Sequence, residues 1–149
     1  MPSNSFYLLV LIMLLTAVQA VAEDDDQYPL AIDGYSPVAY FTEGEALRGS
    51  AEFVATYNQR RYYFRNAEER AAFKADPRRY EPLFPDHCPY NLALGRAVAI
   101  DPTRFKITHG HLLLFHRSDE MDGLEQWNEH EDEAALIERA RGNYELFRF

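Results

Sequence analysis

The sequence predicts an α+β domain: a small, mostly antiparallel sheet made of two hairpins, with short helices packed on it and a C-terminal helix that closes one side. Two stretches rich in aromatic and β-branched residues, each centred on a short polar turn, predict the hairpins. The segments between and after the hairpins contain residues that typically begin and end helices. At 149 residues the chain has room for one domain with a sizeable core.

The first hairpin is predicted from two aromatic-rich strands. Glu52 to Tyr57 and Arg61 to Arg65 would be these strands, and Asn58-Gln59-Arg60 would be the turn between them. Before the hairpin, Pro37 to Phe41 predicts a short helix with proline in its first turn. Because alternate residues of a strand share one face, the aromatic side chains of the hairpin can pack together on one side.

Two helices are predicted to follow the first hairpin. Asn66 is a typical N-cap residue, and Glu69 three positions later completes a capping-box pattern. This helix is expected to stop before Asp76-Pro77, since proline disfavours helical backbone in the residue preceding it. Pro89 to Leu94 predicts a second, shorter helix that is ended by Gly95.

The second hairpin is predicted around His109-Gly110, because two central residues ending in glycine favour a tight turn. Its strands would be Phe105 to Thr108 and His111 to His116, in a register that places Ile107 opposite Leu112. The second of these strands is apolar on both faces, which predicts that it is central or sandwiched.

The last segment predicts a surface helix, or two helices broken near Glu131, ending before Gly142. Acidic residues occupy the positions expected to face solvent. The apolar stripe, at helical spacing, is formed by Leu124, Trp127, Ala134, Ile137 and Tyr144.

The N-terminal region predicts export. Residues 1–22 carry no charged side chain, are largely apolar and precede an acidic block, which is typical of a secretory signal peptide. An uncleaved N-terminal anchor is the alternative, although the apolar stretch is short for a spanning helix. The predicted organisation is a signal peptide at 1–22, an acidic flexible lead-in at 23–31 and one domain at 32–149, in a periplasmic or secreted protein.

The formal net charge of −9 limits the classes of partner. It argues against nucleic acid, whose phosphates need a basic patch, and against an anionic membrane surface after signal cleavage. An acidic balance is compatible with a bound cation. The pairs Arg60-Arg61 and Arg78-Arg79 are expected to be solvated. The sequence specifies no protein partner.

Cys88 and a histidine cluster are the candidate chemical groups. As the single cysteine, Cys88 cannot form an internal disulfide, and it is a small buried hydrophobe, a metal ligand or a redox thiol. Neutral imidazoles together with a thiolate suit copper or zinc. His109, His111 and His116 could supply such imidazoles, and the alternative is that they are polar residues of an exposed hairpin.

Four sequence segments account for most of the chain from Ile32 to Phe147. They are IDGYSPVAYFTEGEALRGSAEFVATYNQRRYYFRNAEERAAFKADPRRYEPLF, HCPYNLALGRAV, DPTRFKITHGHLLLFH and QWNEHE. In this order and at this spacing they resemble the secreted or periplasmic YHS-domain proteins. The resemblance implies the fold predicted above and an exported, non-catalytic module that binds a transition metal or a small ligand. Two alternatives stay open: an interaction or structural module in which Cys88 is buried, and a thiol-redox protein.

The chain departs from the metal-binding proteins of that family in one segment. Their hairpin is followed by a pattern similar to Y-x-F-C-S-x-x-C, which supplies thiolate ligands. Here Arg65 and Glu69 stand where those cysteines would be, and an arginine cannot bind a cation. Any metal would therefore be Cu or Zn, bound by the remaining soft or borderline ligands. These are Cys88 together with one or more of His87, His109 and His111.

Overall fold

The computed structural model describes residues 25–147 of the chain. The predicted α+β class is confirmed, with two hairpins, short helices and a C-terminal helix. The strands are β1 (Ser50–Tyr57), β2 (Arg60–Phe64), β3 (Asp101–Thr108) and β4 (His111–Phe115). The α-helices in the described part are α1 (Ala39–Thr42), α2 (Ala67–Ala75), α3 (Pro77–Tyr80), α4 (Pro89–Ala93), α5 (Gly123–Asn128) and α6 (Glu133–Tyr144). Short 3₁₀ turns lie at Asp25–Gln27 and Ala31–Gly34.

The first hairpin has a tighter turn than the sequence suggested. Asn58 and Gln59 alone form it, with φ of 49° and 59°, and two successive positive φ values are typical of a type I′ turn. Arg60 therefore belongs to β2 and pairs with Tyr57 instead of lying in the loop. Further along, Ala55 is opposite Tyr62, which places the aromatic ring of Tyr62 on the buried face.

The second hairpin has the predicted register. Ile107 is opposite Leu112, and β4 is buried along nearly its whole length. Its alternate side chains face two separate hydrophobic clusters, which confirms the prediction that this strand is sandwiched. One cluster includes Leu112 and Leu114, and the other includes Leu113 and Phe115.

The two hairpins form two separate two-stranded sheets instead of one sheet. The reason lies at the strand edges. The backbone N–H of Arg61 in β2 donates to the carbonyl of Pro29, and the carbonyl of Leu112 in β4 accepts from the N–H of Leu83. Because non-strand segments bond to these edges, the two hairpins meet through side chains in the core.

Residues 25–31, part of the predicted lead-in, pack beside the first hairpin. Leu30 forms a parallel bridge with Arg61, and Asp26 forms an ion pair of 2.6 Å with the same arginine. Residues 23–24 and the predicted signal peptide at 1–22 lie outside the described residues. Within residues 25–147, none of the helices has the length and apolar character needed to span a bilayer.

Helix ends follow the predicted capping chemistry in part. The Asn66 side chain accepts a hydrogen bond of 2.9 Å from the N–H of Glu69, which confirms the N-cap of α2. The predicted break near Glu131 is also confirmed, since α5 ends at Asn128 and α6 begins at Glu133. The predicted end before Gly142 is wrong, because α6 continues to Tyr144.

The predicted stripe of the C-terminal helix is partly wrong. Ala134 is exposed, whereas Leu136 and Ala140 are buried beside the predicted Ile137. Because α6 begins only at Glu133, its buried face is set by its contacts with α4 and not by continuity with α5. Trp127 in α5 is fully buried, as predicted.

Candidate functional site

A cleft of about 1080 Å³ is the candidate site. Three parts of the chain line most of it: the β1–β2 turn, the segment Glu81–Asp86 after α3, and the C-terminal end of α6. Tyr28 and Pro29 complete one wall. The volume is slightly above the usual range for pockets that hold small organic molecules, which is about 300–1,000 Å³.

The floor of the cleft carries a half-buried carboxylate. The hydroxyl of Tyr62 donates to Oε1 of Glu81 at 2.9 Å, and the side-chain amide of Asn58 donates to Oε2 at 2.9 Å. A carboxylate has about four lone-pair positions, so Glu81 retains acceptor capacity after these two bonds. The hairpin turn, which projects Asn58, and β2, which projects Tyr62, together fix the orientation of this group.

Burial is the main cause of the pKa shifts of Glu81 and Tyr62. It raises the pKa of Glu81, and the hydrogen bonds from Tyr62 and Asn58 offset only part of that effect. Burial, followed by the nearby charge of Glu81, raises the pKa of the Tyr62 phenol well above its ordinary value. Tyr62 therefore acts as a neutral donor, and the raised pKa shows that ionised Glu81 is less favourable here than in water.

An arginine–aspartate pair forms the next part of the lining. Arg60 donates from Nε and from Nη2 to the two carboxylate oxygens of Asp86, and from Nη1 to the backbone carbonyl of Asn58 at 3.2 Å. Burial acts to lower the pKa of Arg60, but Asp86 outweighs it and raises that pKa. A bidentate pair of this kind holds both side chains in one geometry. The expectation that Arg60 and Arg61 are simply solvated is wrong, since both make specific bonds.

Apolar and aromatic groups make up part of the remaining lining, together with the polar side chains of Gln59, Arg141 and Glu145. The rings of Phe84 and Tyr144 meet edge to face with centroids 5.3 Å apart, and both residues line the cleft. Prolines 82 and 85 add rigid apolar surface. The cleft thus combines hydrogen-bonded polar groups with apolar and aromatic surface, and a small organic ligand can contact both kinds of group in such a site.

The four residues predicted to hold a metal do not line this cleft. Cys88 is fully buried at the N-cap position of α4, within the cluster that includes Phe115 and Trp127. Its sulfur lies against Gly123: a β-carbon added to that glycine would be 2.8 Å from it. This environment matches the interpretation of Cys88 as a buried hydrophobe.

His87 precedes Cys88 but contacts different groups. Its ring lies 5.9 Å from the ring of Tyr144 and 6.4 Å from that of Phe147, measured between centroids. Its Nδ1 atom is buried and has no hydrogen-bond partner. His87 thus contacts Tyr144, which lines the cleft, but does not line the cleft itself.

His109 lies in the turn of the second hairpin, and His111 is the first residue of β4 directly after it. Nδ1 of His109 lies 3.0 Å from the hydroxyl of Thr108, and Nε2 of His111 lies 3.4 Å from the Arg141 guanidinium. Burial, followed by the charge of Arg141, lowers the pKa of His111, which favours neutral imidazole. The same guanidinium would repel a metal cation at Nε2. His116, the third histidine of the cluster, points Nδ1 toward the carbonyl of Ala99 at 3.0 Å.

Among residues 25–147, no group of three or more His, Cys, Asp or Glu side chains is arranged to hold a metal ion. The structure brings together a different set, Arg60, Glu81 and Asp86. Sequence reasoning missed these residues because their contacts span 19 to 26 positions of the chain and leave no local pattern.

Comparisons with known proteins found no relative of this chain. The chain matches no protein-family model, no curated protein and no solved structure.

Proposed function

We propose that the protein is an exported, non-catalytic module of the YHS type that binds a small organic ligand in the cleft. The observation that carries the proposal is the half-buried Glu81, fixed by Tyr62 and Asn58 on the floor of a cleft of about 1080 Å³. The family resemblance and the export follow from the sequence patterns described above.

The bonding within the lining supports binding over catalysis. Three nitrogens of Arg60 already donate to Asp86 and Asn58, so the pair is held before any ligand arrives. Preorganisation of this kind reduces the ordering cost of binding. Glu81 lines the cleft and keeps acceptor capacity beyond the two bonds it accepts, which suits a ligand with an N–H or O–H donor. The walls at Phe84 and Tyr144 suit an apolar or aromatic body.

Three probes with one aromatic ring and different head groups test this proposal: benzylamine, benzamide and benzoate. Titrated into the uniformly ¹⁵N-labelled protein, the two N–H donors are expected to shift the backbone amides of Asn58–Arg60, of Arg141–Glu145 and of the non-proline residues of Glu81–Asp86. Benzoate is expected to bind more weakly, because it brings a second carboxylate to Glu81.

A pair of variants locates the interaction. Glu81→Gln removes the charge on the cleft floor and is expected to weaken benzylamine binding. Glu45→Gln makes the same change on an exposed loop and is expected to leave it unchanged. If none of the three probes shifts these segments, or if both variants behave like the parent, the cleft is not the binding site.

Metal binding, which the family resemblance also implies, stays a prediction. It depends on Cys88, His87, His109 and His111. Titration of the tag-free protein with Cu(I) and Zn(II), repeated with Cys88→Ser and with the double variant His109→Ala/His111→Ala, tests it. Binding that requires these side chains and weakens below about pH 6, where imidazoles protonate, would support the set.

A further inference from the structure

Unpaired cations are concentrated on one part of the surface. Seven of the arginines and lysines in the described residues form ion pairs and seven do not. Four of the unpaired ones lie within ten residues, on α2 and α3. We name them the cationic face: Arg70, Lys74, Arg78 and Arg79.

This concentration is unexpected in a chain of net charge −9, which offers many carboxylates as partners. Residues 70–79 contain a single carboxylate, Asp76, against the four cations. Because the Debye length in physiological salt is about 8 Å, a partner close to this face experiences mainly its local positive charge. The negative charge on the rest of the protein surface then repels an anionic partner that approaches any other part of the molecule.

Two of the three guanidiniums of the cationic face lie over aromatic rings. The Arg70 guanidinium carbon lies 6.0 Å from the ring centroid of Phe53, and that of Arg79 lies 5.4 Å from the ring centroid of Tyr80. A guanidinium that stacks on a ring keeps its N–H groups directed outward at the edge and available to acceptors. Lys74 and Arg78 are exposed beside them.

From this arrangement we infer that the cationic face is a docking surface for a short acidic segment of a partner protein. Aspartate and glutamate side chains would accept hydrogen bonds from Arg78 and Arg79 and pair with Lys74. This surface is separate from the cleft, since none of the four residues lines it. The inference therefore does not depend on the proposed ligand.

A short segment fits this face better than an extended polyanion. A bilayer or a nucleic acid presents negative charge over a wide area, so contact with either would bring the acidic remainder of the surface against like charge. A segment of a few residues touches only the cationic face.

Binding of a fluorescently labelled Glu-rich peptide, followed by anisotropy at low and at physiological ionic strength, tests this inference. Two double variants, both made at exposed sites and each removing two positive charges, provide the comparison: Lys74→Gln/Arg78→Gln on the cationic face and Arg96→Gln/Arg139→Gln elsewhere. The first is expected to weaken binding about tenfold and the second less than about twofold, because local charge pairs decide the affinity.

Three outcomes would overturn the inference. The peptide would fail to bind the parent protein at either ionic strength, or the two double variants would weaken binding equally. Vesicles containing phosphatidylglycerol would bind the parent more tightly than the peptide does, which would assign the face to an anionic lipid surface. Salt-sensitive binding that only the first variant loses would support it.

Discussion

The hydroxyl of Tyr62 donates a 2.9 Å hydrogen bond to Glu81, and this bond joins the core of the first hairpin to the floor of the cleft. Burial raises the pKa of Glu81 despite this bond. A carboxyl group with a raised pKa in the folded state binds its proton more tightly there than in the unfolded chain. Ionised Glu81 therefore costs stability, and the cost is absent below the ordinary glutamate pKa of 4.5 and grows as the pH rises through the raised value.

Relative to the parent protein, the Glu81→Gln variant is accordingly expected to gain stability as the pH rises from acidic to neutral. The variant lacks the charge whose burial is unfavourable, while its side-chain oxygen can still accept from Tyr62. Urea unfolding of the parent and the variant at about pH 4 and about pH 7.5 measures the difference in unfolding free energy. A difference that does not change with pH, or that changes in the opposite direction, would contradict this prediction.

Glu69 is a carboxylate with the opposite pH behaviour. It is buried and accepts from the Ser36 hydroxyl at 2.7 Å and from Arg65 through its backbone N–H at 3.0 Å and its Nε at 2.7 Å. Burial alone would raise the pKa of Glu69, but the hydrogen bonds from Arg65 and Ser36 outweigh it and lower that pKa. This contribution to stability is present above the ordinary pKa of 4.5 and is lost as the pH falls through the lowered value.

We expect Glu69→Gln to destabilise the fold by about 1–3 kcal/mol at neutral pH, since the buried Ser36 hydroxyl and the partly buried Arg65 lose a charged acceptor. The penalty should shrink as the pH falls below the ordinary glutamate pKa. The neighbouring Glu68→Gln, on an exposed position of the same helix, is the control and should change little. Urea denaturation across this pH range compares the two variants, and a Glu69→Gln penalty that increases in acid would refute the assignment.

Local chemistry explains which parts of the fold were predictable. The His109-Gly110 turn sets the register of the second hairpin, and the Asn66 side chain caps α2; both effects act within a few residues of the chain. The separation into two sheets was not predictable in this way. It depends on backbone bonds from Pro29 and Leu83 to strand edges that are distant in sequence.

The same distinction applies to the candidate site. The cysteine and histidine residues could be recognised in the sequence as candidate metal ligands by their residue type alone. Their positions relative to one another, however, depend on tertiary packing. Glu81 and Arg60 are ordinary charged residues in the sequence. Only the fold turns Glu81 into a half-buried acceptor, by placing Tyr62 and Asn58 against it.

Trp127 offers a test of the second core cluster. It is fully buried, and its ring lies 5.6 Å from that of Phe115 in β4, measured between centroids. Trp127→Ala is expected to destabilise by roughly 3–5 kcal/mol, because it leaves a large cavity beside the strand. As the only tryptophan, it also reports directly on its surroundings. Native fluorescence emission with the maximum of free tryptophan would contradict its burial.

Gly123 marks a close approach of α5 to Cys88 and His116. A β-carbon at this position would be 2.8 Å from the Cys88 sulfur and 3.2 Å from the backbone carbonyl oxygen of His116. The carbonyl cannot move easily, because it accepts a 2.8 Å hydrogen bond from the N–H of Gly123 itself. Gly123→Ala is therefore expected to destabilise by about 1–3 kcal/mol through overpacking.

Two further variants separate this clash from a general effect of replacing glycine. Gly142→Ala in α6 meets no atom within 4 Å, so it should stabilise by about 0.5–1 kcal/mol through the better helix propensity of alanine. Cys88→Ala removes the sulfur, and combined with Gly123→Ala it should cost less than the two single changes added together. Chemical denaturation of all four variants measures the coupling. Strict additivity would show that the sulfur is not what excludes a side chain at position 123.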